Sequence, residues 1–364
     1  MSQKFEMELN PLPAKTWNWL HMNGTTRSEQ ILEQTGDLQE EIPESVTAVA
    51  WIEEGYEAER KKLASLETGM GAAFSEFLRQ GTTTGRLFVT SNGRKEKQPL
   101  RLTFPYADGG HVQNQIGLYL REGSELTLIM DFTSAKKASG VAAVQLRVWA
   151  EAHTVLHLVQ LQRLGTGYTF YNDIGAECGG ESQADVIQLV LGGNQTYLGS
   201  RAALSGTASM WNSDAGYLVG GDGQLDMNFV AYHTGKKTTS RMDASGVLRE
   251  HGRKLFRGTI DFRKGAAGAV GNEKEDVLLL DDTVVNQTIP LILCEEEDVE
   301  GNHGATIGKL DEELLFYLES RGIPEAEVYE MMAKARIDAI SSRIRDEATR
   351  KLVAEYLYPE VKED

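Results

Sequence analysis

The sequence predicts a mainly β protein in which helical regions precede and follow a long block of strands. Runs rich in Val, Leu, Ile and aromatic residues recur between residues 85 and 293, and clusters of Gly, Asn, Asp and Ser separate them. No long helical pattern interrupts this block, which disfavours a sheet built from βαβ units. A block of roughly 200 residues of this kind forms a sandwich, a large barrel or a solenoid of stacked rungs, and the pattern alone leaves all three open.

Composition limits the class of protein before any motif is considered. The chain has 364 residues, a formal charge of −17 and a hydrophobic content of 41%, which suits a globular protein of about two domains. The negative charge disfavours nucleic acid and anionic membrane surfaces as partners. No apolar run approaches the ~20 residues of a spanning helix, and we expect no signal peptide. Two cysteines exclude a disulfide framework, so we expect a cytoplasmic protein with reduced thiols.

Residues 1–84 are predicted to form a helical N-terminal region. The stretch 47–67 mixes Ala, Glu, Lys and Leu without an interior Pro, and residues 71–78 continue in the same style until Gly81. We therefore expect a helical region over residues 1–84, a β core over residues 85–308 and a helical domain over residues 309–364.

The β core is predicted from short runs that have strand character and end at turn residues. These runs are residues 86–90, 100–104, 116–120, 126–132, 144–149, 155–161, 186–191, 227–232 and 277–280.

The C-terminal helices are predicted from capping residues and from apolar spacing. Asp311 is a suitable N-cap, and Glu312 and Glu313 place carboxylates in the first turn, where they favour the helix dipole. Gly322 ends this helix, and Pro324 opens the next one.

Residues 290–322 form the segment most suggestive of chemistry. Four consecutive acids, residues 295–298, precede His303 in a Gly-rich stretch, residues 301–304, that predicts a turn. A neutral imidazole near carboxylates is suited to binding iron or zinc. The alternative is that the acids form a solvated edge and that His303 only caps the turn.

Other motifs give no enzyme class. The sequence lacks a Walker A loop, a dinucleotide fingerprint and a GxSxG elbow. His153 and His157 have a spacing that binds metal on a helix, but residues 155–159 predict a strand, so we interpret both as strand histidines.

Residues 290–322 resemble the C-terminal signature of the SufB/SufD family, the scaffold subunits of the SUF iron–sulfur cluster assembly machine. The matching stretches near this signature are residues 297–299, 303–308, 310–312, 315–318 and 321–323, and those upstream are residues 233–241, 256–260 and 278–282. The resemblance covers about residues 230–340 well and the first 84 residues hardly at all. The His-Gly-Ala-Thr sequence at residues 303–306 is similar to the SufD branch rather than the SufB branch.

The resemblance implies a right-handed parallel β-helix flanked by helical regions, and a scaffold that is not itself a catalyst. It implies a SufD-like role beside a SufC-type ABC ATPase and a SufB-type partner. One alternative is a SufB-like subunit of a reduced system without a separate SufD. A carbohydrate-active β-helix enzyme is a more distant alternative, for which the sequence offers no recognisable cleft of carboxylates and basic residues.

The resemblance also implies where partners and metal bind. Family members pair through their β-helices, and their C-terminal helices bind the ATPase, so we expect docking residues there: Leu310, Phe316, Tyr317 and Arg321. A transient iron or iron–sulfur cluster is expected at the subunit interface, held by His303 with Glu297 or Asp298 and completed by partner thiolates. No stable cofactor is expected on the isolated chain.

Both cysteines are predicted to be structural. Gly301 stands where SufD proteins often have a Cys, so one thiolate ligand of the family is missing. Cys294 falls at a strand position that is usually aliphatic in the family, which predicts a small core residue. Cys178 lies between acids, which raise the pKa of a thiol and disfavour a ready thiolate.

Overall fold

The computed structural model describes residues 4–81 and 84–359. The strands, in chain order, are β1 (Lys4–Leu9), β2 (Thr25–Gln30), β3 (Gln34–Thr35), β4 (Gln39–Glu41), β5 (Val46–Ala50), β6 (Arg86–Thr90), β7 (Leu100–Pro105), β8 (Gly110–Leu120), β9 (Glu125–Thr133), β10 (Ser139–Ala150), β11 (Val155–Arg163), β12 (Gly167–Cys178), β13 (Gln183–Val190), β14 (Gln195–Leu204), β15 (Met210–Val219), β16 (Gln224–His233), β17 (Thr239–Leu248), β18 (Arg253–Phe262), β19 (Ala269–Leu279), β20 (Val285–Cys294) and β21 (Val299–Gly308). The helices are α1 (Glu57–Ala64), α2 (Ala72–Gln80), α3 (Glu312–Ser320), α4 (Glu325–Ser341) and α5 (Glu347–Leu357).

Consecutive strands from β6 onward alternate between two sheets. Sheet I has the order β20-β18-β16-β14-β12-β10-β8-β6-β5, with β3 beside β8, and sheet II has the order β21-β19-β17-β15-β13-β11-β9-β7-β4. From β6 to β21, each strand pairs in parallel with the strand two positions later, as β10 does with β12. This topology is a parallel β-solenoid, which confirms the predicted fold class and excludes the sandwich and the barrel.

The inward faces of the two sheets enclose one apolar core. Inward side chains alternate with outward ones along each strand, as in β7, where Leu100, Leu102 and Phe104 are buried. In-register pairing then stacks like residues along the solenoid axis: the rings of Phe104 and Phe132 are 4.8 Å apart between centroids. Stacking of this kind buries the inward residues of each rung against the next rung.

The prediction of a helical region over residues 1–84 is wrong for most of that stretch. Five short strands, β1 to β5, come first, and the described helices there are one 3-10 turn (Asn18–Leu20), α1 and α2. The sequence at residues 47–50 has helical character, but β5 pairs antiparallel with β6 at the end of sheet I. Pairing with a sheet edge outweighs the weak helical propensity of these residues.

The N-terminal segment lies across the outer face of sheet I. Arg257 and Asp226, both fully buried, form an ion pair of 2.5 Å, and the Arg257 Nε donates to the Met22 carbonyl at 2.6 Å. The Asn10 amide donates to Asp226 at 2.7 Å. A Cβ at Gly199 would lie 2.4 Å from the Met70 backbone nitrogen, so this close approach requires glycine.

The C-terminal helices follow β21 and pack on the outer face of sheet II. The predicted N-cap is confirmed, because the Asp311 carboxylate accepts from the backbone N–H groups of Glu313 and Leu314 at 2.8 and 3.0 Å. Ile337 and Ile340 of α4 share an apolar cluster with Leu189 of β13. Ion pairs fasten the helices at their margins: Arg336 to Asp276 at 2.7 Å, Arg101 to Asp346 at 2.7 Å and Arg343 to Asp214. None of the helices in the described ranges is long and apolar enough to cross a membrane.

Candidate site at the open end of the solenoid

The last rung of the solenoid is formed by β20 and β21, and no further strand of the described residues pairs with it. We call this rung the open end. β20 and β21 are the terminal strands of their sheets, and nearly all of β21 is exposed. Register identifies the inward positions of β21, because Gly301, His303 and Ile307 pair with Gly271, Glu273 and Val277 of β19. These side chains would be core residues if another rung followed. Here they are exposed at the end of the solenoid.

His303 lies within β21 and not in a turn as predicted. Gly301 and Asn302 favour a turn locally, but the whole of β21 pairs with β19 over ten residues and is therefore extended. The acids at residues 295–298 occupy the connection between β20 and β21 instead. His303 is exposed and sits near the middle of the open end.

The structure does not bring Glu297 and Asp298 to His303. Asp298 precedes β21 and lies five residues before His303, which corresponds to roughly 16 Å along an extended strand. Within the described residues, no group of three or more His, Cys, Asp or Glu side chains is arranged to hold a metal ion. His303 would therefore need other ligands, from this chain or from a partner.

Glu273 is the carboxylate that the sequence analysis missed. It pairs in register with His303, is 5% exposed, and its Oε2 has no hydrogen-bond partner among the residues that the structure describes. Burial, followed by the nearby charge of Glu275, raises the pKa of Glu273 to about 8. A Cβ at Gly258 on the opposite sheet would lie 2.3 Å from the Glu273 Cδ, so glycine there makes room for the carboxyl group.

The neighbouring inward acid, Glu275, is fully paired. Lys254 and Glu275, 0% and 1% exposed, form an ion pair. Thr288 of β20 donates to the Glu275 Oε2 at 2.6 Å and accepts from the Lys254 Nζ at 3.0 Å. Burial lowers the pKa of Lys254 against the opposing effect of Glu275. Two inward acids, Glu273 and Glu275, thus lie near one lysine, and Lys254 forms its ion pair with Glu275.

Sequence reasoning had little chance of finding Glu273. Residues 271–277 read Gly-Asn-Glu-Lys-Glu-Asp-Val, so polar residues occupy both faces of β19. Alternation cannot show which face is inward when both are polar. The register with β21 is the observation that places Glu273 beside His303.

The two cysteines differ in position. Cys294 is exposed, and its thiol donates to the Glu296 carbonyl at 3.0 Å, so the prediction of a core residue is wrong. It pairs with the buried Phe262 and occupies an inward position, but no further rung covers it. Cys178 is buried, and burial raises the pKa of its thiol to about 12, which supports the structural interpretation.

The predicted docking residues lie around α3, which contains no buried residue. Phe316 is 73% exposed and Tyr317 52% exposed, so both aromatic rings are accessible to a partner. Arg321 lies over the Tyr317 ring at 5.2 Å from its centroid. Leu310 is partly buried against Val247 and neighbouring apolar residues, and it joins the helices to sheet II.

Comparisons with known proteins identify a related family. Residues 105–336 match the family model described as the SufBD core domain of SUF-system FeS cluster assembly. The iron–sulfur cluster assembly protein SufD of Bacillus subtilis is 22% identical over 318 residues, which are 86% of this chain and 70% of that protein. An iron–sulfur cluster assembly SufBD family protein of Mycobacterium tuberculosis is 33% identical over 127 residues, or 35% of this chain. The match spans 15% of that mycobacterial protein.

Proposed function

The chain belongs to the SufBD family of iron–sulfur cluster assembly proteins, and we propose that it is a SufD-like scaffold subunit that is not itself a catalyst. In this proposal a SufC-type ATPase hydrolyses ATP, and a SufB-type chain shares the cluster-building site. The chain works in the cytoplasm, where thiols stay reduced, and both of its cysteines are free. The observation that carries the proposal is the last rung of the solenoid, where His303 lies exposed on β21.

The open end supports pairing with a second solenoid. The outer edges of β20 and β21 pair with no other strand in the part of the chain that the structure describes. A solenoid end of this kind needs a cap to avoid uncontrolled association. Ile292 and Ile307, 37% and 47% exposed, add apolar surface there. The occupant we propose is a SufB-type chain, and a second copy of this chain is the other outcome of the test.

Helix α3 supports docking of the ATPase. Phe316 projects from a helix whose acids, Glu312, Glu313 and Glu319, suit a cationic groove on a partner. Exposed aromatic residues of this kind often dominate the binding energy of an interface. The ion pair of Arg336 in α4 with Asp276, and that of Arg343 just after α4 with Asp214, then give the ATPase a mechanical connection to sheet II.

Iron is cargo in this proposal and is held at the open end for a limited time. The imidazole of His303 is an accepted ligand for iron, and the partner supplies thiolates that this chain lacks at Gly301. The interface therefore builds a mixed ligand set from two chains. Neither chain alone is expected to retain the metal.

The test is reconstitution of the complex with a SufC-type and a SufB-type subunit. We expect co-elution of all three chains, and we expect His303→Ala to abolish transfer of clusters to an apo-ferredoxin while the complex and its ATP hydrolysis persist. His251→Ala, which replaces an exposed histidine in a turn between β17 and β18, is the matched control. Cluster transfer by the His303→Ala complex at the parental rate would overturn the assignment of His303. Assembly with SufC alone would favour the SufB-like role.

A further inference from the structure

We propose that Glu273 is the inner carboxylate ligand of ferrous iron at the open end, where it and His303 form a carboxylate–imidazole pair. This inference rests on the proposed function and names a ligand of the same site. It replaces Glu297 and Asp298 as the carboxylate that this chain contributes.

The register of β19 and β21 places the two side chains next to each other. Glu273 and His303 are direct partners in a parallel pair, and neighbouring strands lie about 4.8 Å apart. Directly paired residues of a parallel sheet project to the same face, which here is the inward one, because Gly271 and Val277 on the same face of β19 are buried. The two side chains therefore start from adjacent positions on the inward face, which is the arrangement that a carboxylate–imidazole pair on one ion requires.

Burial makes Glu273 an unusual residue unless it meets a cation. Glu273 is 5% exposed, and its Oε2 has no hydrogen-bond partner among the residues that the structure describes. Burial of an unpaired carboxylate oxygen is costly, and buried carboxylates in proteins are normally paired or coordinate a metal. The nearest inward cation, Lys254, is held by Glu275 and Thr288. Among the described residues, Glu273 on β19 is therefore an inward acid that forms no ion pair with Lys254, and it lies next to the last rung.

The other acids near His303 are unsuited to the same role. Glu300 lies on β21 itself, but its side chain is on the outward face, where it accepts from the Asn302 amide at 3.0 Å. Glu275 is two residues further along β19 and is already bonded through both oxygens. Glu297 and Asp298 lie outside β21. Of these acids, Glu273 is the one that pairs directly with His303 on the inward face, and its Oε2 has no hydrogen-bond partner in the described part of the chain.

The chemistry of the pair fits ferrous iron. Oxygen and nitrogen ligands suit Fe²⁺, and a pair from one chain leaves coordination positions open for thiolates from the partner. Three or four ligands drawn from two chains would hold iron firmly in the complex, whereas the pair alone would hold it weakly. Because each chain supplies only part of the ligand set, iron binds firmly at the shared interface and weakly to either chain alone.

The experiment measures Fe²⁺ binding by the reconstituted complex in anaerobic equilibrium dialysis, with Co²⁺ absorption as a spectroscopic readout of the ligand set. We expect Glu273→Gln to weaken Fe²⁺ binding by about tenfold or more and to shift the Co²⁺ ligand-field bands. Glu273→Asp, which withdraws the carboxylate by one methylene, should give an intermediate loss. Glu300→Gln on the neighbouring strand is the matched control and should bind as the parent does.

The outcomes separate this inference from the proposed function. If His303→Ala loses iron and Glu273→Gln keeps parental affinity and Co²⁺ bands, Glu273 is not a ligand and the proposed function stands. If neither substitution changes binding, both the inference and the iron site at the open end are wrong. Thermal unfolding of the Glu273→Gln chain at or above the parental midpoint shows that any loss of iron is not a loss of fold.

Discussion

His233 lies inside the solenoid with both ring nitrogens in hydrogen bonds. Nδ1 is 2.7 Å from the Thr238 hydroxyl and Nε2 is 2.8 Å from the Ser240 hydroxyl. Burial lowers the pKa of His233 from 6.5 to about 4, so the folded protein holds it neutral. The unfolded chain binds a proton at this residue at pH values where the folded chain does not.

We expect His233 to make the fold less stable in mild acid. The pKa of His233 is lower in the folded chain than in the unfolded chain, so the unfolded chain binds the proton first. The folded state therefore keeps its full stability above pH 6.5 and loses stability as the pH falls toward 4. The loss between pH 7 and pH 4.5 is at most about 2–3 kcal/mol. His233→Gln should remove this component, measured as the change in unfolding free energy between the two pH values. An equal loss in parent and variant would contradict the prediction.

At the scale of elements, the N-terminal segment depends on one buried ion pair. Arg257 reaches from β18 to Asp226 on β16 and to the Met22 carbonyl, so it joins the segment to sheet I. The pair lies in a fully buried network that also includes Asn10. Loss of one member leaves the other charge buried without compensation.

Arg257→Met is expected to lower the free energy of unfolding by about 3–5 kcal/mol, because Asp226 then stays buried without its cation. Protease cleavage within residues 10–25 should become faster in the same variant. Arg253→Met removes an exposed arginine from the same strand and serves as the control. Equal denaturant midpoints for the two variants would argue against the role of the pair.

Helix α3 gives a prediction that concerns binding and not stability. Phe316→Ala should weaken binding of the ATPase by roughly tenfold or more, whereas the thermal midpoint stays close to the parental value because the ring is 73% exposed. Ile52→Ala is a matched control, since Ile52 is also 73% exposed but lies far from α3 in the chain. Binding of the Phe316 variant with parental affinity, measured by calorimetry, would remove α3 from the interface.

Nine of the solenoid strands and the start of the first C-terminal helix are predictable because their signals are local. Asp311 caps its helix through its own side chain, and the runs at residues 86–90 and 126–132 carry strand patterns that need no knowledge of neighbours. Residues 47–50 were mispredicted because their pairing with β6 depends on a strand about 40 residues away along the chain. The candidate site is less predictable from the sequence. The exposure of Cys294 depends on whether another rung follows, and the position of Glu273 beside His303 depends on the register of β19 with β21.

At the scale of the whole molecule, the open end predicts association. The isolated chain should self-associate increasingly as its concentration rises, because the edges of β20 and β21 and the exposed Ile307 favour pairing. Ile307→Lys should suppress this association and pairing with a SufB-type chain, while the unfolding free energy changes little for a side chain that is 47% exposed. Sedimentation velocity over a range of concentrations tests both statements, and association of the variant equal to that of the parent would show that another surface is responsible.

Stacked rungs also set the order in which backbone amides become accessible to exchange with deuterium. Each rung is held by its neighbours, so opening is least costly at β20 and β21, which have neighbours on one side, and most costly for central strands such as β12 and β14. Amide exchange should therefore slow progressively from the open end toward the middle of the axis. A chain that binds at the open end turns the most labile rung into an internal one, and part of its binding free energy then appears as slower exchange several strands away.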